Sequence, residues 1–164
     1  MSSDFTIKVG MADLNIATNG ELLKTTGLGS CVGIIIYDPK KHLAGMAHIM
    51  LPSSSIAREV PINVAKYADT AIPTLIEKLL AQGATSSYLQ AKIAGGSQMF
   101  SLPGQTDTLR IGPRNVESSS QLLQEYRIPL LSSDTGGNYG RTIEFDISSG
   151  MLSIRSVQFG TKEI

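Results

Sequence analysis

The chain opens with short stretches that alternate apolar and polar residues. Phe5 to Val9 alternates, and Leu22 to Thr25 repeats the pattern briefly. A period of two is that of a half-buried strand. Cys31 to Tyr37 (CVGIIIY) is continuously apolar and rich in β-branched residues, which predicts a strand buried on both faces. Asp38-Pro39-Lys40-Lys41 carries turn chemistry, and Leu43 to Leu51 reads as a second apolar strand, so the pair predicts a hairpin. Pro52-Ser53-Ser54-Ser55 ends it, and the stretch to about Val60 is polar.

The period then changes. Between Lys66 and Gln82, residues Ala68, Ile72, Leu75, Ile76, Leu79 and Leu80 recur at spacings of three and four, which predicts an amphipathic helix. Gly83 is its stop. Pro73 fits either the first turn or a kink. Leu89 to Ala94 predicts a strand and Gly95-Gly96 a turn. Pro113 suits the first position of a second helix running to about Tyr126, with Val116, Leu122, Leu123 and Tyr126 on its inner face. Pro129 to Ser132 is a short strand, and Thr142 to Ile147 and Met151 to Val157 flank the turn Ser148-Ser149-Gly150 as a hairpin. Many strands and two helices, without regular alternation, predict one layered α/β sandwich domain over residues 1–164.

Composition narrows the class. The 164 residues are 41% hydrophobic and 17% charged, and 14 Lys plus Arg balance 14 Asp plus Glu. A neutral chain lacks the electrostatic footprint for nonspecific binding of nucleic acid or anionic lipid. Cys31 is the only cysteine, so no internal disulfide forms. The N-terminus lacks the basic-then-apolar pattern of a signal peptide, and no apolar run is long enough to cross a bilayer. The expectation is a cytoplasmic protein without nucleic-acid partners and without membrane insertion.

Two segments carry candidate chemistry. In TTGLGSCVG (25–33), Gly27 and Gly29 precede Cys31 at the mouth of a buried strand. Glycines give the loop room, and backbone N–H groups around Gly29 and Ser30 can hold an oxyanion. In AGMAHIMLP (44–52), His48 interrupts an otherwise apolar strand. If the two strands pair through the Asp38 turn, His48 faces Cys31 across the ladder. A neutral imidazole beside a thiol can take its proton, and such a pair usually has a third group orienting the ring, for which Thr25 is the candidate. A lone cysteine is commonly a small core residue, and a lone histidine on an apolar strand is commonly hydrogen-bonded core. Their meeting at the ends of one predicted hairpin singles them out. His42 reads as solvated turn, and one cysteine with two histidines offers no zinc site. GGSQMF (95–100) reads as a binding loop or a plain turn, and TGGNYGR (135–141) as a loop matching no nucleotide-binding pattern.

At this point the chain resembles the CheD family of chemotaxis proteins. The resemblance rests on six blocks in order: GLGSCVG (27–33), GMAHIMLP (45–52), KYADTAI (66–72), AKIAGGSQMF (91–100), IGPRNVE (111–117) and SSDTGGNYGRTIEF (132–145). It implies an α-β-β sandwich with largely antiparallel strands, similar to the catalytic domain of cytotoxic necrotising factor toxins. It implies a protein-glutamine deamidase with Cys31 as nucleophile, His48 as base and Thr25 as assistant, needing no cofactor or metal. Its substrates would be glutamines on the cytoplasmic helices of methyl-accepting chemotaxis receptors. It also implies binding to the phosphatase CheC, with Gly95, Gly96 and Phe100 as candidate partner contacts. The competing readings are another cysteine–histidine enzyme, such as a protease or transglutaminase, and a protein acting chiefly as a non-catalytic regulator of CheC.

Overall fold

The structure, a computed structural model, describes residues 5–99 and 110–164. Among the described residues, ten strands form two five-stranded sheets. The first sheet has the order β1-β3-β8-β9-β10, from β1 (Thr6–Lys8), β3 (Leu22–Leu28), β8 (Arg141–Asp146), β9 (Met151–Ser156) and β10 (Gly160–Glu163). The second has the order β2-β5-β4-β6-β7, from β2 (Leu14–Thr18), β5 (Leu43–Ile49), β4 (Val32–Asp38), β6 (Gln90–Gly95) and β7 (Leu130–Thr135). The pairs β1–β3 and β6–β7 are parallel; the others are antiparallel.

Two apolar layers hold these elements together. The first lies between the helices α1 (Ala68–Ala81) and α2 (Ile111–Glu125) and the second sheet, where Ile34, Ile36, Ala47 and Ile49 meet Ala71, Ile72, Leu75, Leu79 and Leu123. The other lies between the sheets, where Ile35, Tyr37 and Met46 meet Leu23, Ile143, Phe145 and Leu152. Burying each such large side chain contributes about 1.5–3 kcal/mol. This explains the unbroken apolar run of β4. It is the central strand of its sheet, faces a layer on each side, and is buried at all seven positions.

The hairpin forms as expected and its turn sets the register. The buried Asp38 accepts the N–H groups of Lys40 (2.9 Å) and Lys41 (3.1 Å) through one carboxylate oxygen, and that of Thr85 (2.8 Å) through the other. Asp38 pairs with Leu43, and this fixes every later rung, so His48 falls opposite Gly33. His48 therefore does not stand directly across from Cys31, as the sequence suggested; Cys31 lies two residues before its partner.

The helices keep their predicted places, with corrections to their faces. α1 ends in two capping bonds, from Gly83 N–H to Leu80 O (3.1 Å) and from Ala84 N–H to Leu79 O (3.0 Å), the Schellman pattern. Pro73 lies inside α1, beyond its first turn. Leu80 is 40% exposed and Tyr126 46% exposed, so neither belongs to an inner face. α2 buries Gly112, Asn115, Ser119 and Leu123, a stripe with two polar side chains that an apolar count cannot find. Strands β2 and β10 escaped the sequence reading. β2 is only partly buried and β10 is exposed at all four positions, so neither shows clean alternation.

Close backbone approach joins α2 to the loop after β6. A Cβ on Gly112 would collide with the carbonyl oxygens of Ser97 and Gly96, and one on Gly96 would collide with Val116. Gly112→Ala is therefore expected to destabilise the protein by about 1–3 kcal/mol. Gly10→Ala, where a Cβ meets nothing within 4 Å, should stay within about 0.5 kcal/mol of the parent. Denaturant midpoints of the two variants check this.

Candidate active site

Three strands bring Thr25, His48 and the Cys31 loop to one end of the layer between the sheets. On β3, Leu23 and Thr25 are buried while the bulge beyond them, at Thr26 and Gly27, is exposed. Thr25 thus points from the first sheet toward the second. On β5, His48 is fully buried and points back toward Thr25. Cys31, just before β4, packs in the same layer with 8% of its surface exposed. Given the register, Cys31 and His48 are diagonal neighbours on one sheet face.

The hydrogen bonds settle the histidine's tautomer. The Thr25 hydroxyl oxygen lies 2.7 Å from the Val9 carbonyl oxygen and 2.7 Å from His48 Nδ1. A carbonyl only accepts, and a hydroxyl has one proton. Thr25 therefore donates to Val9, and His48 donates its Nδ1–H to Thr25. In a neutral imidazole this leaves Nε2 with its lone pair free. Nε2 is buried and has no partner among the described residues. It is the nitrogen able to act as base.

Burial sets the resting charges. It pushes the Cys31 thiol above its ordinary range, outweighing the downward pull of the cysteine's own backbone N–H on the sulfur. It pulls His48 below the usual imidazole range. Both effects favour a neutral thiol and a neutral imidazole.

The Cys31 loop is held from outside the hairpin. Gly96 N–H donates to Cys31 O (2.8 Å), and Ser97 N–H donates to Gly29 O (2.8 Å). Gly95, at φ 113°, leaves no room for a Cβ, which would collide with the Cys31 carbonyl. Gly95 and Gly96 are both buried, so what they meet is the cysteine loop and α2. Phe100 lies outside the described residues. Arg141 braces the same loop: its guanidinium donates to Ser97 Oγ (2.9 Å), Tyr139 Oη (3.0 Å) and Asp134 (3.0 Å). Asn115 donates to Ser30 O and Met50 O. Val9, Ser97, Asn115 and Arg141 were missed from the sequence. Val9 acts through its backbone and left no signal. Asn115 and Arg141 each stood within one of the six blocks. Among the described residues, no three His, Cys, Asp or Glu side chains gather as metal ligands. No helix among them is long and apolar enough to cross a membrane.

Comparison with known proteins agrees with the blocks. The family model described as CheD chemotactic sensory transduction matches residues 50–156. The Chemoreceptor glutamine deamidase CheD of Halalkalibacterium halodurans is 54% identical over 158 residues, covering 96% of this chain and 98% of its own. The protein of the same name from Bacillus subtilis is 49% identical, covering 96% and 95%. A solved structure, that of the Bacillus licheniformis hypothetical protein YfiH, overlays with a TM-score of 0.48 at 14% identity, covering 84% of this chain and 62% of that one.

The two buried groups predict a pH window of stability. His48, with its folded pKa lowered, favours the fold above the unfolded value of 6.5, and this contribution is lost as pH falls below it. Cys31, with its folded pKa raised, favours the fold below the unfolded value of 9.0, and this contribution is lost as pH rises beyond it. Thermal midpoints should therefore decline on both sides of this interval, and Cys31→Ser should flatten the alkaline limb. Differential scanning calorimetry across pH checks both limbs.

Proposed function

This chain belongs to the CheD family, and from that premise we propose that it is a chemoreceptor glutamine deamidase with Cys31 as nucleophile and His48 as general base and acid. The observation that carries the reading is the Thr25 hydroxyl between Val9 O and His48 Nδ1. It leaves Nε2 unprotonated in the layer that holds the thiol.

The chemistry follows from these groups. Nε2 takes the proton of the Cys31 thiol, and the thiolate attacks the side-chain carboxamide carbon of a glutamine. Backbone N–H groups around Ser30 stabilise the oxyanion, with Gly29 supporting the loop through its own N–H to Gly27 O (3.1 Å). The imidazolium returns its proton to the leaving nitrogen, and ammonia departs from a thioester. His48 then deprotonates a water, which attacks the thioester carbonyl. Cys31 leaves as thiolate and is reprotonated, and the glutamine has become glutamate. An accumulating charge pair is disfavoured in so buried a site, so transfer and attack are coupled on substrate binding.

Substrate selection follows from burial. With Cys31 8% exposed and His48 fully buried, the site accepts a slender side chain rather than a backbone segment. This favours amide hydrolysis over proteolysis. The substrates are glutamines on the cytoplasmic helices of chemotaxis receptors, and the protein works in the cytoplasm. The new carboxylate changes the charge of a packed helix and so biases receptor signalling. CheC is a second partner, with Phe100 as an apolar contact. The architecture is that of the cytotoxic necrotising factor catalytic domain, formed as one domain. The same burial leaves one alternative, a protein acting chiefly as a regulator of CheC.

Peptide mass spectrometry of a receptor cytoplasmic fragment tests the reading. Wild type should convert glutamine to glutamate, and Cys31→Ala should lose at least about a thousandfold in rate. A fragment that binds but is unchanged by wild type would point instead to the regulator.

A further inference from the structure

Asn115 is fully buried on α2, and the chemistry above does not use it. Its Nδ2 donates to Ser30 O (2.9 Å) and to Met50 O (3.0 Å), while its Oδ1 has no partner among the described residues. We propose that Asn115 is a positioning residue that sets the spacing of Cys31 and His48 by tying together the two backbones that carry them.

The ladder explains why a tie is needed. The last rung between β4 and β5 is Val32 with Ile49. Beyond it the two chains are held by different neighbours. Cys31 O and Gly29 O accept from Gly96 and Ser97 after β6, whereas the N–H groups of Met50 and Leu51 turn to Lys66 O (2.8 and 3.1 Å). Cys31 lies past this last rung and His48 lies inside the ladder. Nothing in the regular sheet therefore fixes how far the two strands splay at the dyad. An amide nitrogen has two protons. Asn115 uses one on the residue before the nucleophile and the other two residues beyond the base.

Simple space-filling accounts poorly for this residue. A buried oxygen without a partner is costly, and an apolar side chain would fill the volume without one. The two donated bonds are what asparagine supplies here. Gly112, three residues earlier, seats the helix hard against Ser97 O and Gly96 O, so the donor works from a fixed base.

The test compares five proteins: wild type, Asn115→Ala, Ser119→Ala, His48→Ala and the double variant His48→Ala/Asn115→Ala. Ser119 is buried on the same helix face with a hydroxyl that has no partner among the described residues, so its removal controls for disturbance of α2. Two quantities are read: the pH dependence of Cys31 alkylation by iodoacetamide, and kcat and KM on a receptor fragment. Asn115→Ala should lower kcat by up to about 100-fold with KM within about twofold, the scale of a misplacement near 1 Å. It should also slow alkylation near neutral pH by about tenfold or more, because the thiol loses its base. Ser119→Ala should match wild type within about twofold, and in the His48→Ala background the asparagine change should add less than about twofold. Should Asn115→Ala not fold, Asn115→Ser, which keeps a donor, carries the same comparison. The proposal fails if alkylation is unchanged, if Ser119→Ala loses as much, or if the loss persists without His48. The alkylation arm needs no receptor, so it decides this proposal even if wild type deamidates nothing.

Discussion

One hydroxyl joins the two sheets at the proposed site. Thr25 belongs to the first sheet and His48 to the second, and the Thr25 oxygen lies 2.7 Å both from Val9 O and from His48 Nδ1. Val9 in turn is held by its own N–H to Lys24 O at 2.8 Å. The chain of donors runs one way only, ending on a carbonyl that cannot donate, and so the imidazole is fixed in both orientation and tautomer. The apolar layer between the sheets brings the groups together, but the hydroxyl decides which nitrogen is basic. The β4–β5 register, set by Asp38 at the turn, decides where on the strand that nitrogen stands.

The Cys31 half of the proposed site is built differently. Cys31 lies just outside β4, and its loop is shaped by contacts from β6, α2 and β8. Glycine at 95, 96 and 112 permits approaches that any Cβ would block, and the buried Arg141 fastens Ser97, which bonds Gly29. Removing Asp134, whose carboxylate lies 3.0 Å from Arg141 Nε, would leave this enclosed cation uncompensated, a large penalty for a buried charge. His48 is held through the sheets and Cys31 through a ring of loops, so their relative placement depends on ties between the two systems. Burial of both groups favours their neutral forms.

Much of this was legible in the sequence because it obeyed simple periods. The continuous apolar run of β4, the three-and-four spacing of α1 and the β8–β9 hairpin each stand where the pattern put them. Cys31 stood out at the mouth of an apolar strand behind two glycines and His48 by interrupting another, both at the far end of one predicted hairpin. Other features followed rules that periodicity does not carry. The exact partner of His48 depends on where the turn closes, which moved it from Cys31 to Gly33. The inner face of α2 is partly polar, so counting apolar residues rotated it toward Tyr126 and away from Asn115. Gly95 and Gly96 read as a turn or a partner loop, while their buried contacts are with the cysteine loop. Val9 contributes through a backbone oxygen that every residue has, so no sequence signal could have named it.

The tautomer of His48 is the most direct measure of this account. Nitrogen-15 NMR of histidine-labelled protein resolves the two ring nitrogens, with His42, exposed in its turn, as the second signal in the spectrum. The account predicts a neutral His48 ring near pH 7 with the proton on Nδ1 and Nε2 bare, and loss of that preference in Thr25→Val. A ring protonated on Nε2, or an imidazolium at neutral pH in the resting protein, would contradict it.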